Sequence, residues 1–216
     1  MSRQTVTRNN DFIDIELPAS LFNQQSTLSE KLYARDIKQR RLFLEDLIAP
    51  ETVDEIAAHI LQYNKEDKGI KPEERTPVLL YLNSNGGDVM SGLKLIDVIE
   101  NSKTPVYTIN LGWWYSMGFL IGIAGHKRYA SKHATFLMHD GTICLGNSGG
   151  KFQDQIKFNT ALEERIKQHV LSKTNITSEE YDTNSRVEWY LFAEEAKEKG
   201  VIDFIIGEDC DIDDIV

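Results

Sequence analysis

The chain is poor in cysteine, in cations and in long apolar runs, and each shortage excludes something. Its only two cysteines, Cys144 and Cys210, are too few and too far apart for a disulfide framework or a spaced metal motif. That fits a reduced, cytoplasmic setting with no metal or other cofactor. The longest apolar stretch, Phe119 to Ala124, is far below the roughly 20 residues that a membrane helix needs. Met1 to Asn10 is polar and does not read as a signal peptide. Lys and Arg number 24 against 34 Asp and Glu, for a net charge of −10, which argues against nucleic acid as a partner. No Gly-Lys-Ser/Thr loop occurs, so the chain carries no nucleotide site of that kind. Internal repeats and low-complexity tracts are also missing.

What remains is globular. Hydrophobic residues make up 41% and charged residues 27% of 216, enough for one domain with a sizeable core. Residues 1–38 are irregular and polar, apart from Asp11-Phe-Ile-Asp-Ile-Glu-Leu, whose alternation suits an edge strand. Arg41 to Glu45 reads as a strand and Ala49 to Tyr63 as a helix. Val78 to Asn83 reads as a buried strand and Ser84 to Gly87 as a turn. Val89 to Glu100 is the next helix, and Val106 to Leu111 the next strand. A helix then follows Ser116. This alternation predicts an α/β fold with a parallel sheet flanked by helices. Short strands are expected at Lys127 to Ala130 and Thr135 to Met138, then a glycine-rich turn at residues 146–150. Lys151 to Lys173 reads as one helix of about 35 Å, which either packs on its own domain or protrudes toward another subunit. A short helix at Ala193 to Lys199 and a strand at Val201 to Ile206 precede a solvated acidic tail. The boundaries are therefore 1–38 for an N-terminal segment, 39–207 for the main domain and 208–216 for the tail.

Three segments carry candidate chemistry. Ser116 stands at a strand-to-helix junction, where unpaired N–H groups favour developing negative charge. A serine there is either a helix cap or a nucleophile. Asn83-Ser-Asn-Gly-Gly-Asp88 is either a tight turn capped by Asp88 or a place where paired glycine N–H groups approach a ligand. His139 ends a buried strand, and strand ends are where sites form in α/β folds. The other histidines sit in amphipathic helices (His59, His169), read as surface residues, or in charged loops (His126, His133).

Taken together these segments resemble the ClpP family, the proteolytic subunits of the Clp protease. Tyr81-Leu-Asn-Ser-Asn-Gly-Gly is similar to the family's Tyr-Ile-Asn-Ser-Pro-Gly-Gly, and Tyr115-Ser-Met-Gly to its Ala-Ser-Met-Gly. Phe136-Leu-Met-His matches the segment with the catalytic histidine. Phe192-Ala-Glu-Glu-Ala-Lys-Glu-Lys-Gly-Val-Ile-Asp is similar to a segment near the family's C-terminus. The resemblance covers about Arg41 to Ile206. It implies the crotonase-related fold with a protruding handle helix, and a serine endopeptidase in which Ser116 is the nucleophile and His139 the base. The N–H groups of Gly87 and Met117 would form the oxyanion hole. It also implies stacked heptameric rings enclosing peptide and unfolded-protein substrates, fed by a Clp-type ATPase unfoldase.

The departures are specific. The family's third triad member is an aspartate five residues before the Ala of Ala-Glu-Glu-Ala. That position is Glu188 here, with Asp182 and Asn184 as neighbouring candidates. Asn85 replaces proline, and Trp113-Trp114-Tyr115 is far bulkier than usual, either narrowing a substrate pocket or packing the core. These changes leave open a second role as a divergent, weakly active or inactive structural subunit of a mixed ring. A third reading is an acyl-CoA enzyme of the crotonase fold, which the Ser-Met-Gly and Met-His segments disfavour.

Overall fold

A computed structural model describes residues 27–141, 146 and 148–215; the expected edge strand at residues 11–17 and Cys144 lie outside them. The chain divides into two compact units, 1–35 and 36–216. The described part of the first is the start of helix α1 (Leu28–Lys38), in a stretch expected to be irregular. Its local cause is a capping pair that the sequence reading passed over. Thr27 Oγ1 accepts from the Glu30 N–H at 3.2 Å, and Glu30 Oε2 accepts from the Thr27 N–H at 2.7 Å.

The second unit contains an eight-stranded sheet. Strand β1 (Arg41–Ile48) leads into helix α2 (Pro50–Glu66), then strand β2 (Val78–Gly87) into helix α3 (Val89–Glu100). Strands β3 (Val106–Asn110) and β4 (Trp113–Tyr115) precede helix α4 (Met117–Gly122). Strands β5 (Lys127–Ser131) and β6 (Thr135–Met138) lead to the long helix α5 (Gly149–Lys173). Helix α6 (Ser178–Asn184), strand β7 (Trp189–Phe192), helix α7 (Ala193–Glu198) and strand β8 (Phe204–Ile206) complete the order.

The sheet runs β7-β6-β4-β2-β3-β5-β8, with β1 also paired to β2. Every pair is parallel except β6 with β7. This is the expected α/β architecture, a mostly parallel sheet flanked by helices. β3 and β4 lie end to end along one edge of β2. β3 pairs with Val78 to Tyr81 and β4 with Ser84, and the register slips by two residues between them. The break is held by buried Asn110, which accepts from the Gly112 N–H at 2.9 Å and donates to the Thr135 carbonyl at 3.2 Å. Two arms of sheet therefore diverge from β2: β3-β5-β8 and β4-β6-β7.

β2 is apolar throughout its first half because both of its faces are covered. Val78, Leu80 and Leu82 face the main core with Val53, Ile60, Leu95 and Ile99, while Leu79 and Tyr81 join Ile109, Tyr129 and Ile215 in a smaller cluster. Trp114 is fully buried, crosses Phe136 edge to face at 5.4 Å and donates from Nε1 to the Leu82 carbonyl at 2.9 Å. Of the three bulky residues before Ser116, this one belongs to the core.

Several expectations need correcting. Ser84 to Gly87 is not a turn. It continues β2, because Gly86 and Gly87 adopt φ of 100° and 148° and pair with Leu47 and Ile48. The last strand starts at Phe204 rather than Val201. Gly200 at φ 66° ends α7, and the Val201 N–H closes that helix on the Ala196 carbonyl at 2.7 Å. His169 is not a surface residue; its side chain is 11% exposed and its Nε2 lies 2.9 Å from the Leu120 carbonyl. The tail does not simply dangle in solvent, since Ile215 is buried in the smaller cluster.

Helix α5 runs for 25 residues and Val170 is its one buried residue. Ile166 packs on the core, but Phe152, Ile156 and Phe158 near its start are exposed. Among the described residues no helix is long and apolar enough to cross a membrane.

Candidate active site

The expected site residues converge because of strand order. β2, β4 and β6 are neighbours and run parallel, so their C-terminal ends lie along one rim of the sheet. Those ends carry Gly86 and Gly87, then Ser116, then His139. β7 runs the opposite way beside β6, which brings its N-terminal end to the same rim. Its register pairs Met138 with Trp189. Glu188 immediately precedes Trp189, so it stands at that rim one residue beyond the last paired row, as His139 does after β6.

Ser116 has φ 54° and ψ −119°, a conformation costly for a residue with a side chain. Two groups hold it there. Its N–H donates to the Leu137 carbonyl at 2.9 Å, and Leu120 at the far end of the first turn of α4 donates back to the Ser116 carbonyl. The hydroxyl faces the diglycine. A Cβ on Gly86 would lie 2.7 Å from Ser116 Cβ, 3.0 Å from the Met117 nitrogen and 3.1 Å from Ser116 Oγ. Only glycine admits that approach.

The diglycine is itself braced. Buried Ser84 accepts from the Gly86 N–H at 3.0 Å and donates its hydroxyl to the Asp46 carbonyl. The Asp88 N–H donates to the Ile48 carbonyl at 2.8 Å, on the β1 side. Met117 is the first residue of α4, and first-turn N–H groups have no partner within their own helix.

His139 and Glu188, the expected base and its orienting carboxylate, are not joined. His139 is half-buried, and among the described residues no hydrogen bond links it to Ser116 or Glu188. Glu188 is exposed, and its Oε2 accepts from the Tyr190 hydroxyl at 3.1 Å. That bond pushes the Tyr190 hydroxyl pKa above its ordinary value. The two neighbouring candidates are committed elsewhere. Asp182 forms an ion pair with Lys167 at 2.6 Å, and Asn184 donates to the Glu180 carbonyl at 2.8 Å. The Asp140 N–H, next to His139, donates to the Ser185 carbonyl at 2.5 Å and ties the segment after β6 to the segment after α6.

The sequence reading missed Ser84, Asn110 and Tyr190. Ser84 and Asn110 are polar residues inside apolar strands, and that contrast was the available signal. Tyr190 stands two residues from Glu188, the spacing that shares a strand face. Among the described residues, no group of three or more His, Cys, Asp or Glu is placed to hold a metal ion.

Comparison with known proteins gives a consistent result. The family model described as Clp protease matches residues 24–209. The chain is similar to ATP-dependent Clp protease proteolytic subunit 2 of Tropheryma whipplei, at 30% identity over 85% of this chain and 99% of that protein. It is similar to the protein of the same description from Corynebacterium diphtheriae, at 27% over 83% and 88%. Proteolytic subunit 1 of Prochlorococcus marinus subsp. pastoris is 28% identical over 82% and 88%.

Proposed function

From the premise that this chain belongs to the Clp protease family, we propose that it is a serine endopeptidase acting as a proteolytic subunit. The observation that carries the reading is the rim where Gly86-Gly87, Ser116 and His139 end three adjacent parallel strands, with Ser116 held at positive φ against Gly86. His139 removes the proton from Ser116 Oγ as the oxygen attacks a peptide carbonyl. The N–H groups of Gly87 and Met117 receive the developing oxyanion. His139 then protonates the leaving amine, and water, activated by the same imidazole, releases the acyl group. Glu188 orients the imidazole and stabilises its charged form, a role glutamate fills in other triads. Hydrogen bonds of this kind are often long or open before substrate binds.

The exposed Phe152, Ile156 and Phe158 on α5 support a helix that packs on another subunit. Stacked heptameric rings would enclose the site, admit short peptides and receive unfolded proteins from a Clp-type ATPase. The ATP is then the partner's substrate.

A second reading is favoured by one observation. Among the described residues no hydrogen bond joins His139 to Ser116, which suits a subunit that assembles but cleaves weakly. Intact-mass analysis after treatment with a fluorophosphonate probe separates the two. Activated Ser116 gives one adduct, lost in Ser116→Ala. An assembled protein that takes up no probe supports the second reading.

A further inference from the structure

Two departures from the family's motifs stand side by side. Tyr115 replaces the alanine before the nucleophile, and Glu188 replaces the aspartate. The register explains how they meet. Tyr115 pairs with Leu137 and Leu137 with Tyr190, so Tyr115 and Tyr190 flank one row of β4, β6 and β7. Their rings cross at 87° with centroids 5.9 Å apart. Tyr115 is fixed at its far end by a hydrogen bond of 3.0 Å between its hydroxyl and Thr135 Oγ1. The Tyr190 hydroxyl reaches back two residues along the same face of β7 to Glu188 Oε2. Glu188 and His139 each stand one residue beyond the last paired row, Met138 with Trp189.

We propose that Tyr190 is a positioning residue that holds the Glu188 carboxylate toward His139, with Tyr115 as the buttress for its ring. The inference rests on the reading of Glu188 as the third member of the triad. Glutamate has one more rotatable bond than aspartate, and freezing it costs conformational entropy. The tyrosine meets that cost in advance by occupying Oε2. A carboxylate has a second oxygen with its own lone pairs, and Oε1 remains for the imidazole N–H. Tyr115 immediately precedes Ser116, so a single aromatic contact ties the strand of the nucleophile to the strand of the carboxylate.

The test uses full-length assembled protein and two readouts: turnover of a short fluorogenic peptide, and the rate of fluorophosphonate labelling at Ser116, which can be followed for hours in slow variants. Tyr190→Phe keeps the ring and removes only the hydroxyl. Expected is a fall in kcat of about tenfold with KM changed less than about twofold. Labelling should slow in proportion. In a Glu188→Ala background, which labels more slowly than the parent, Tyr190→Phe should cause no further loss, because the group it positions is gone. Unchanged kcat in Tyr190→Phe overturns the proposal, as does an equal loss in both backgrounds, which would mark a purely structural role. If Glu188→Ala retains full activity, or the parent itself takes up no probe, the underlying reading fails and the proposal falls with it.

Discussion

At the scale of single residues, Ser116 is one of three described non-glycine residues at positive φ, with Arg40 and Asp46. Its φ of 54° with ψ −119° is tolerated because the Leu137 carbonyl and the start of α4 hold the chain on both sides. Strain of this kind costs on the order of 1–3 kcal/mol, and glycine escapes most of it. Ser116→Gly should therefore be more stable than Ser116→Ala by about 1 kcal/mol in denaturant unfolding, while both lose peptidase activity. Equal stabilities would mean that the conformation is not strained. Ser116 and His139 were singled out in the sequence by their places, one before an apolar helix and the other at the end of a short apolar run, and both follow the C-terminal ends of parallel strands. The positive φ was not legible, since nothing in Tyr-Ser-Met-Gly distinguishes a strained junction from an ordinary helix start. The third member was legible only as a choice among Glu188, Asp182 and Asn184. The Lys167 ion pair with Asp182 and the Asn184 bond to Glu180 depend on folding and were hidden.

Among the elements, those with continuous apolar runs were easy to read. α3, β3 and β6 fall where the pattern put them, and β2 begins where it should, because burial within and against a parallel sheet leaves little room for polar residues. β7 was missed. It is an edge strand whose side chains alternate between core and exposure, with Leu191 buried and Tyr190 and Phe192 exposed, and its aromatic content does not by itself separate strand from loop. The far end of the sheet depends on a different device. Arg128 on β5 binds both carboxylate oxygens of Asp203 and donates to the carbonyls of Lys173 and Gly200. One side chain thus joins β5 to the segment entering β8 and to the end of α5, where a cation also suits the helix terminus. Arg128→Ala leaves a carboxylate and two carbonyls unpaired. Its side chain is 14% exposed and that of Asp203 32%, so the loss should fall below that of a fully buried pair, at about 2 kcal/mol in urea unfolding. A loss under about 0.5 kcal/mol would show that water replaces these bonds without penalty.

The whole molecule responds to acid in two stages. Burial holds His126 and His169 below the ordinary imidazole value. His126 Nδ1 accepts from the Val106 N–H, and His169 lies against Leu120 with Glu100 and Lys173 nearby. The unfolded chain binds protons more readily at both positions, so stability falls as pH drops below about 6.5. Asp67 is held low by Arg40 and Thr104, and Glu180 falls to about 2 through Lys199 and Thr177. Their contribution is complete above about pH 4 and is lost below it. The urea midpoint should drop between pH 7.5 and 5.5 and again below pH 4, and His169→Gln should flatten the first step. A midpoint constant from pH 7.5 to 5.5 would mean that both imidazoles reach water before the fold gives way.

The position of β7 in the chain has a further consequence during translation. The ribosome delivers Ser116 and His139 well before the strand that runs back beside β6 and brings Glu188 to the rim. On the reading proposed here, a nascent or truncated chain ending ahead of β7 carries a nucleophile and a base without the carboxylate that orients them. On that reading, the oriented base is assembled only after β7 has been made.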